Sequence, residues 1–210
     1  MSRRWEDMNE RERWLIQVEE KMKRGNQILF DRNSVLLQPL IDLLCVQNRR
    51  AVVLWCLDGM EEILERIRFI DPTETRAEEA VRQCRLWAAG EIRMPQAKKA
   101  ILAAHAIAKE SDDPVLGAYA HAIGQGCGSV HCETHAIGMV IYALTALVRA
   151  HGLDSCQKVI EARVREEEER LRVWQLREKQ EKWTWAPFLM KEHPNKELER
   201  KRKRQAAREG

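Results

Sequence analysis

The sequence predicts an all-α protein: a single bundle of about seven to eight helices, with a charged C-terminal helix and a tail. Prolines and glycines divide the chain into segments of helical length. Apolar residues recur in these segments at helical spacing, and no segment shows the sustained alternation of a strand. The chain is therefore expected to contain helices and no sheet.

The first predicted elements are an amphipathic helix, a short helix and a long helix. The amphipathic helix is expected within residues 1–30, roughly from Trp5 to Leu29, and a short helix with Pro39 in its first turn follows. The amphipathic helix has a stripe of Trp14, Leu15, Val18 and Met22. The long helix runs from Arg49 to Phe69, with Val52, Trp55, Leu57, Ile63 and Ile67 predicted to face inward.

Local start and stop signals predict the helices that follow. DPTETRAEEAVRQCRLWAAGEI starts with Asp71 and Pro72 and ends at Gly90, as a helix with a glycine C-cap does. MPQAKKAILAAHAIAKE is the next helix, and another begins at Pro114. THAIGMVIYALTALVRAH forms the following core helix, with Gly152 as its C-cap.

The C-terminal part is highly charged. LDSCQKVIEARVREEEERLRVWQLREKQEKW predicts a long helix that covers only a narrow strip of core. Its sparse apolar stripe consists of Val159, Val164, Leu171, Trp174 and Leu176. The basic tail, residues 196–210, is expected to be a frayed helix in solvent, with contact to nucleic acid or an acidic partner as the alternative.

Composition and charge limit the classes of protein to consider. The 210 residues are 44% apolar and 33% charged, which is ordinary for a soluble globular protein. The formal charge of +3 is uneven, because the last twenty residues hold eight Lys or Arg and four Glu. Residues 1–190 therefore sum to −1, so nucleic-acid binding is expected nowhere except through the basic tail.

Targeting and cysteine usage favour a cytoplasmic protein. The start, MSRRWEDMNERERW, lacks the apolar region of a secretory signal. The apolar stretch from Ala136 is interrupted at Arg149, before it reaches the ~20 residues of a membrane span. The six cysteines lie mostly in helical segments, which favours reduced thiols over a disulfide framework. We therefore expect no membrane contact.

The stretch GQGCGSVHCETHAIG, from Gly124 to Gly138, is the first place to look for chemistry. If HCETH is helical, His131 and His135 share a face and could hold a divalent transition metal such as Zn. The metalloprotease pattern H-E-x-x-H needs Glu where Cys132 stands. HCE fits the start of the zinc-deaminase pattern, but the chain has no P-C-x-x-C. We expect no cofactor, with a metal at the two histidines as the alternative.

A thiol nucleophile is the other catalytic alternative in this stretch. Cys127 or Cys132 near a helix N-terminus could have a lowered pKa, with His131 or His121 as the base. Cysteines in helices rich in Ala and Gly are more often small packing residues. Packing is therefore the preferred interpretation of both thiols.

The glycines of the stretch have the spacing G-x-G-x-G, which superficially suggests a phosphate-binding loop. No strand precedes them and no Gly-Lys-Ser/Thr follows, so the context of such a loop is missing. Small residues that allow close helix packing are the better interpretation. They include Gly117, Gly124, Gly128 and Gly138, with Ala118, Ala122 and Ala136.

Two groups of polar residues are candidate functional sites. The first is an internal network that would orient a surface loop or line a small pocket, because buried polar groups need partners. Its predicted members are His105, His121, His131, Glu133, Thr134 and His135. The second is Arg85, Trp87 and Glu91, which could form an Arg–carboxylate clamp with Asp71 and Arg76. Structural ion pairs at helix junctions are the commoner outcome for such residues.

The stretch from about Leu40 to Gly152 resembles a known family in the order and spacing of its motifs. DPTETRAEEAVRQCRLWAAGEI, AKKAILAAHAIAKE and AYAHAIGQGCGSVHCETHAIGMVIYAL are similar to the immunity proteins of bacterial polymorphic-toxin systems, in the family numbered five. The most specific matches are Arg85, Trp87, Gly90, Glu91, His105, His131, Thr134, His135 and Ala136. The resemblance covers roughly half the chain and implies an all-helical bacterial cytoplasmic protein that neutralises a cognate toxin.

With this resemblance the chain divides into four parts. Residues 1–30 form the N-terminal amphipathic helix, 31–153 the helical core that resembles the family, 154–195 the long charged helix with a Trp-rich segment, and 196–210 the basic tail. The N-terminal forty residues and the C-terminal charged helix with its tail are extra to the family pattern and could serve formation of a homodimer.

The leading hypothesis is a non-enzymatic helical protein that binds a protein partner, with a toxin as the partner that the resemblance implies. Trp and Arg are the expected anchors of such an interface. The alternative is a metal- or thiol-dependent enzyme centred on the His, Cys and Glu side chains of residues 127–135.

Overall fold

A computed structural model describes residues 10–191 and 194–209 of the chain. This part is all α-helical, with no strand. Its ten α-helices are α1 (Glu10–Lys23), α2 (Gln38–Cys45), α3 (Arg49–Ile70), α4 (Arg76–Ala89), α5 (Met94–Glu110), α6 (Pro114–Gly128), α7 (Ala136–His151), α8 (Gln157–Arg177), α9 (Pro187–Met190) and α10 (Lys196–Glu209). The predicted fold class is confirmed; α10 corresponds to the helix expected in the basic tail, and the short helix α9 was not predicted.

Helix α6 lies at the centre of the bundle and contacts α3, α4, α5 and α7. It begins where Asp113 accepts hydrogen bonds from the backbone N–H groups of Val115 and Leu116, at 2.7 and 3.2 Å. Its small residues allow the close contacts that the sequence predicted. A Cβ atom added at Gly124 would lie 2.3 Å from Nε2 of His105, and one at Gly126 would lie 2.6 Å from Sδ of Met60.

Helices α3 and α4 begin and end close to the predicted positions. The Asn48 side chain accepts a hydrogen bond from the Ala51 N–H at 2.9 Å and caps the start of α3. The five residues predicted to face inward from α3 are all buried. Helix α4 ends at Gly90, whose positive φ of 81° allows the backbone to turn out of the helix.

The charged helix α8 is held against α3 by a buried acid, Glu167, whose side chain is only 1% exposed. Arg163 and Arg170 form ion pairs with Glu167 at 2.7 and 2.9 Å, and both also pair with Glu62 of α3. Of the predicted apolar strip, Val164 and Leu171 are buried, whereas Leu176 is exposed. Ion pairs therefore provide much of the contact that the sequence assigned to apolar residues.

The basic tail forms helix α10, and its inner face contacts α2 rather than solvent. Glu197 is buried and pairs with Arg32 at 3.3 Å, and the Asn195 side chain donates to the carbonyl oxygens of Leu44 and Gln47 at 2.9 Å. This arrangement differs from the expected frayed helix in solvent. The reason is that Glu197 in the tail and Asn195 just before it form an ion pair and hydrogen bonds with groups of the core.

The N-terminal helix ends at Lys23, before the predicted Leu29, and its predicted start at Trp5 lies outside the described residues. Trp14 and Val18 are buried as expected, whereas Met22 is exposed. Over residues 10–191 and 194–209, no helix combines the length and apolar character that crossing a membrane requires.

Candidate functional site

The four histidines predicted to belong to one network lie near one another, but among the described residues no single set of hydrogen bonds joins all six predicted members. His105 and His121 form a pair between α5 and α6, His135 contacts Gln125, and Glu133 contacts the start of α10. The structure thus shows two contacts at α6, from His105 to His121 and from His135 to Gln125, and a separate contact between Glu133 and α10.

The His105–His121 pair is the closest contact between ionisable groups of this set. The two Nδ1 atoms are 2.8 Å apart, so one imidazole donates and the other accepts. Tyr142 of α7 lies beside the pair, with its ring centroid 5.0 Å from that of His121. Burial and the neighbouring histidines lower the pKa of His105 to about 4, and burial and Lys109 lower the pKa of His121. Both rings are therefore neutral at pH 7.

His135 lies at the end of a 3₁₀ turn, Glu133–His135, between α6 and α7. Its Nδ1 is 3.0 Å from the side-chain oxygen of Gln125. Burial, and then the charges of His131, Arg32 and Arg200, lower the pKa of His135. The ring is thus positioned by a neutral amide and surrounded by cations, which disfavours its charged form.

Glu133 and Thr134 connect this turn to the C-terminal helix and the segment before α2. The buried Glu133 carboxylate accepts a hydrogen bond from the backbone N–H of Lys196 at 2.6 Å, at the start of α10. Arg32 donates to the carbonyl oxygen of Thr134. These contacts hold three parts of the chain together, which is a structural use of the predicted polar residues.

The alternative of a metal bound by His131 and His135 required the HCETH stretch to be helical, and it is not helical throughout. Cys132 has an extended backbone, with φ −153° and ψ 121°, so His131 and His135 do not lie on one turn of a helix. In the described ranges, 10–191 and 194–209, no group of three or more His, Cys, Asp or Glu side chains is placed to hold a metal ion. This arrangement counts against the metal-dependent alternative.

The environment of Cys127 does not favour nucleophilic catalysis. Cys127 is fully buried, its Sγ lies 3.7 Å from Sδ of Met60, and contact with Cys84 together with burial raises its pKa. The raised pKa disfavours the thiolate, which is the reactive form. Cys132 contacts the Thr134 hydroxyl at 3.2 Å instead of a histidine.

The second candidate group, Arg85, Trp87 and Glu91, does not form a clamp. Arg85 pairs with Glu61 of α3 at 2.7 Å, and Glu91 is exposed after the end of α4. Trp87 packs against Phe188 of α9, with ring centroids 6.0 Å apart. The group lies where α3, α4 and the C-terminal segment meet.

The other members of the predicted clamp pair elsewhere. Arg76 forms ion pairs with Glu74 at 2.6 Å and Glu110 at 2.5 Å. The Asp71 side chain accepts hydrogen bonds from Thr73. These are local contacts near the start of α4, and they fit the structural interpretation of such residues.

The motif that ends α4 provides a surface for the Trp-rich segment. Ala186 donates its N–H to the carbonyl oxygen of Ala88 at 2.8 Å. A Cβ atom at Gly90 would lie 3.2 Å from Cα of Ala186, so a larger residue would push the segment away. Gly90 therefore serves both the helix end and this close approach.

The sequence analysis missed a cleft between the α2–α3 junction and the C-terminal segment. Its volume is about 430 Å³. The residues that give it its chemistry are Val46, Arg49, Arg50, Lys179, Met190 and Lys191. The dipeptide Arg49-Arg50 at the start of α3 was visible in the sequence, but its proximity to residues 179–191 depends on how α8 and α9 fold back.

A family model described as "Imm-5 like putative immunity protein" matches residues 42–170, which are 129 of the 210 residues. The matched region runs from within α2 to within α8. Neither the curated proteins nor the solved structures contain a significant match to the chain.

Proposed function

The chain belongs to the Imm-5 like immunity protein family, and on this basis we propose that it binds and neutralises a cognate protein toxin in the bacterial cytoplasm. The observation that carries the proposal is the family match over most of the helical bundle, from α2 to α8. An immunity protein acts by occupying its toxin, so it needs a stable surface and no catalytic centre of its own.

The side chains that suggested catalysis support this proposal by their present roles. Glu133, Thr134 and His135 are engaged in contacts within the fold, and Cys127 is buried. In this proposal the polar turn between α6 and α7 positions α10 and Arg32. Trp87 packs against Phe188 and so positions the Trp-rich segment, whereas Arg85 joins α4 to α3.

Co-expression with a toxin tests the proposal. Toxin domains encoded in the same gene cluster are placed under one inducible promoter and this chain under another. We expect one toxin domain to stop growth alone, to be tolerated when this chain is present, and to form a stoichiometric complex with it by size-exclusion chromatography. Growth arrest by every toxin domain despite expression of folded protein would contradict the proposal.

A matched control distinguishes binding from a general effect of expression. Val164 is buried in the contact between α8 and the core, so Val164→Asp should unfold the protein and abolish protection. Arg165 is exposed on the same helix, so the Arg165→Asp variant should fold normally. It should also protect as wild type does, unless Arg165 lies in the interface with the toxin. Protection by the unfolded Val164→Asp variant would show that growth recovers for another reason.

A further inference from the structure

The cleft between the α2–α3 junction and the C-terminal segment is the part of the surface whose chemistry is most specific. Four cations line it: Arg49 and Arg50 at the start of α3, and Lys179 and Lys191 from the C-terminal segment. The wall formed by residues 179–191 lies outside the region matched by the family model, residues 42–170. The cleft therefore combines family and additional residues.

The charges accessible in the cleft are positive. Arg50 pairs with Glu178, and both Glu178 and the lining residue Glu133 are buried. Lys179 and Lys191 are exposed, and among the described residues neither has an ion-pair partner. A ligand that enters the cleft thus meets free ammonium groups, whereas the two carboxylates nearby are already engaged.

Apolar side chains lie beside these cations. Val46 is 68% exposed and Met190 is 55% exposed, although both are large apolar residues of a folded protein. Exposed apolar residues next to charged ones are typical of an interface centre, where desolvation strengthens the contacts of a partner.

We propose that this cleft binds an acidic surface of a protein partner, with carboxylate groups against Lys179 and Lys191 and an apolar side chain against Val46 and Met190. The inference rests on the proposed function and names the chemistry of the toxin surface: Glu or Asp beside a large apolar residue. The charge of the chain agrees with it, because residues 171–210 hold twelve Lys or Arg and six Glu. The other residues, 1–170, sum to −3.

A protein partner fits the cleft better than nucleic acid does. Nucleic acid is bound mainly through its phosphates, by cations that follow the backbone. The exposed Val46 and Met190 would have no role in such contacts, and a concave volume of about 430 Å³ suits side chains better than a duplex. Nucleic-acid binding is therefore treated as a competing outcome of the test.

The test uses charge reversal in the full-length chain. Lys179→Glu/Lys191→Glu reverses the free cations, and Lys98→Glu/Lys99→Glu makes the same charge change on exposed residues of α5, which does not line the cleft. Met190→Ser removes the apolar contact, with Leu102→Ser as its control, because both residues are 55% exposed. Thermal unfolding of all four variants verifies that they fold.

Three probes are compared: the toxin domain found by co-expression, a short fluorescent peptide of Glu and Leu with its Gln/Leu counterpart, and duplex DNA. We expect the toxin and the Glu/Leu peptide to bind Lys179→Glu/Lys191→Glu about tenfold more weakly than wild type, and Met190→Ser about fivefold more weakly. The control variants should bind as wild type does, and the Gln/Leu peptide should bind weakly to all.

Equal affinity of the charge-reversed and wild-type proteins for both acidic probes would overturn the inference. So would an equal loss in Lys98→Glu/Lys99→Glu, because net charge alone would then explain the effect. Tighter binding of DNA than of the Glu/Leu peptide, lost on reversal of Lys179 and Lys191, would assign the cleft to nucleic acid.

The failure of this inference is distinguishable from the failure of the proposed function. If Lys179→Glu/Lys191→Glu neutralises the toxin as well as wild type does, the proposed function stands and the interface lies outside the cleft. Peptide binding that depends on Lys179 and Lys191, with no toxin neutralised, supports the cleft and contradicts the immunity role.

Discussion

At the scale of single residues, the main feature is that acids in a highly charged sequence are buried and paired. Glu167, Glu178 and Glu197 each lie in the charged C-terminal part, and each pairs with at least one arginine. A buried pair is costly to break, because the remaining charge loses both water and its partner.

Glu167 provides a direct test of this point. Glu167→Ala leaves Arg163 and Arg170 without their shared buried partner, so the free energy of unfolding should fall by about 3 kcal/mol. Urea unfolding followed by circular dichroism measures the change. The control is Glu166→Ala, whose side chain is 60% exposed and whose variant should lie within about 0.5 kcal/mol of wild type. Equal effects of the two substitutions would show that the burial of Glu167 is irrelevant.

The His105–His121 pair predicts how stability depends on pH. The folded state lowers the pKa of His105 from 6.5 to about 4, so the unfolded chain takes up a proton first as the pH falls. The contribution of this group is fully present above pH 6.5 and is lost between pH 6.5 and about 4. The free energy of unfolding should therefore decrease as the pH falls from 6.5 to about 4.

The comparison for that prediction is His105→Asn, which keeps a side-chain nitrogen near the position of Nδ1 but does not titrate. Its stability should fall less steeply than that of wild type between pH 6.5 and 4, as measured by urea unfolding at several pH values. His151→Asn is the control, since His151 is exposed at the end of α7. Parallel pH profiles for wild type and His105→Asn would contradict the prediction.

At the scale of elements, polar contacts attach α10 to the core at its N-terminal end, and Lys201 pairs with Asp42 of α2 farther along the helix. Asn195 accepts a hydrogen bond from the Leu198 N–H at 3.0 Å and donates to the carbonyl oxygens of Leu44, in the last turn of α2, and Gln47, just after it. The Glu133 carboxylate accepts a hydrogen bond from the backbone N–H of Lys196, the residue after Asn195. The helix and the α6–α7 turn should therefore lose order together when these contacts are removed.

Asn195→Ala tests this attachment. It removes the cap of α10 and both hydrogen bonds to the core, so amide hydrogen exchange in residues 196–207 should become faster by about tenfold. Exchange in α6 and α7 should stay unchanged, because the central helices do not depend on α10. Gln205→Ala, at an exposed position on the same helix, is the control. Unchanged exchange in α10 would show that Asn195 does not hold it.

At the scale of the whole molecule, we predict that stability does not depend on a bound metal ion. Its core is a continuous set of apolar residues from α1 to α9, and the histidines are placed by other side chains. Removal of zinc with a chelator should leave the melting temperature unchanged, and added zinc should not raise it. His131→Ala/His135→Ala should respond to zinc as wild type does. A stoichiometric zinc content that this double variant loses would favour the enzymatic alternative.

The sequence by itself determined the helices and the family. Helix ends are set by nearby chemistry: the Asn48 and Asp113 side chains bind the first N–H groups of α3 and α6, and Gly90 adopts a positive φ. Such signals act over a few residues, so they are readable in a single chain. The motif order likewise identified the immunity family without knowledge of the packing.

Only the tertiary structure decided which polar groups meet. Glu133 and Lys196 are 63 residues apart, and Arg50 and Glu178 are 128 apart, so no local pattern predicts these contacts. The charged helices were expected to face solvent, because charge patterns usually do so. Glu167 of α8 and Glu197 of α10 are nevertheless buried because both helices fold back onto the core, and the same folding back places Lys179 and Lys191 opposite Arg49 to form the cleft. Long-range packing, which depends on how whole helices fit together, therefore created the surface assigned here to a partner.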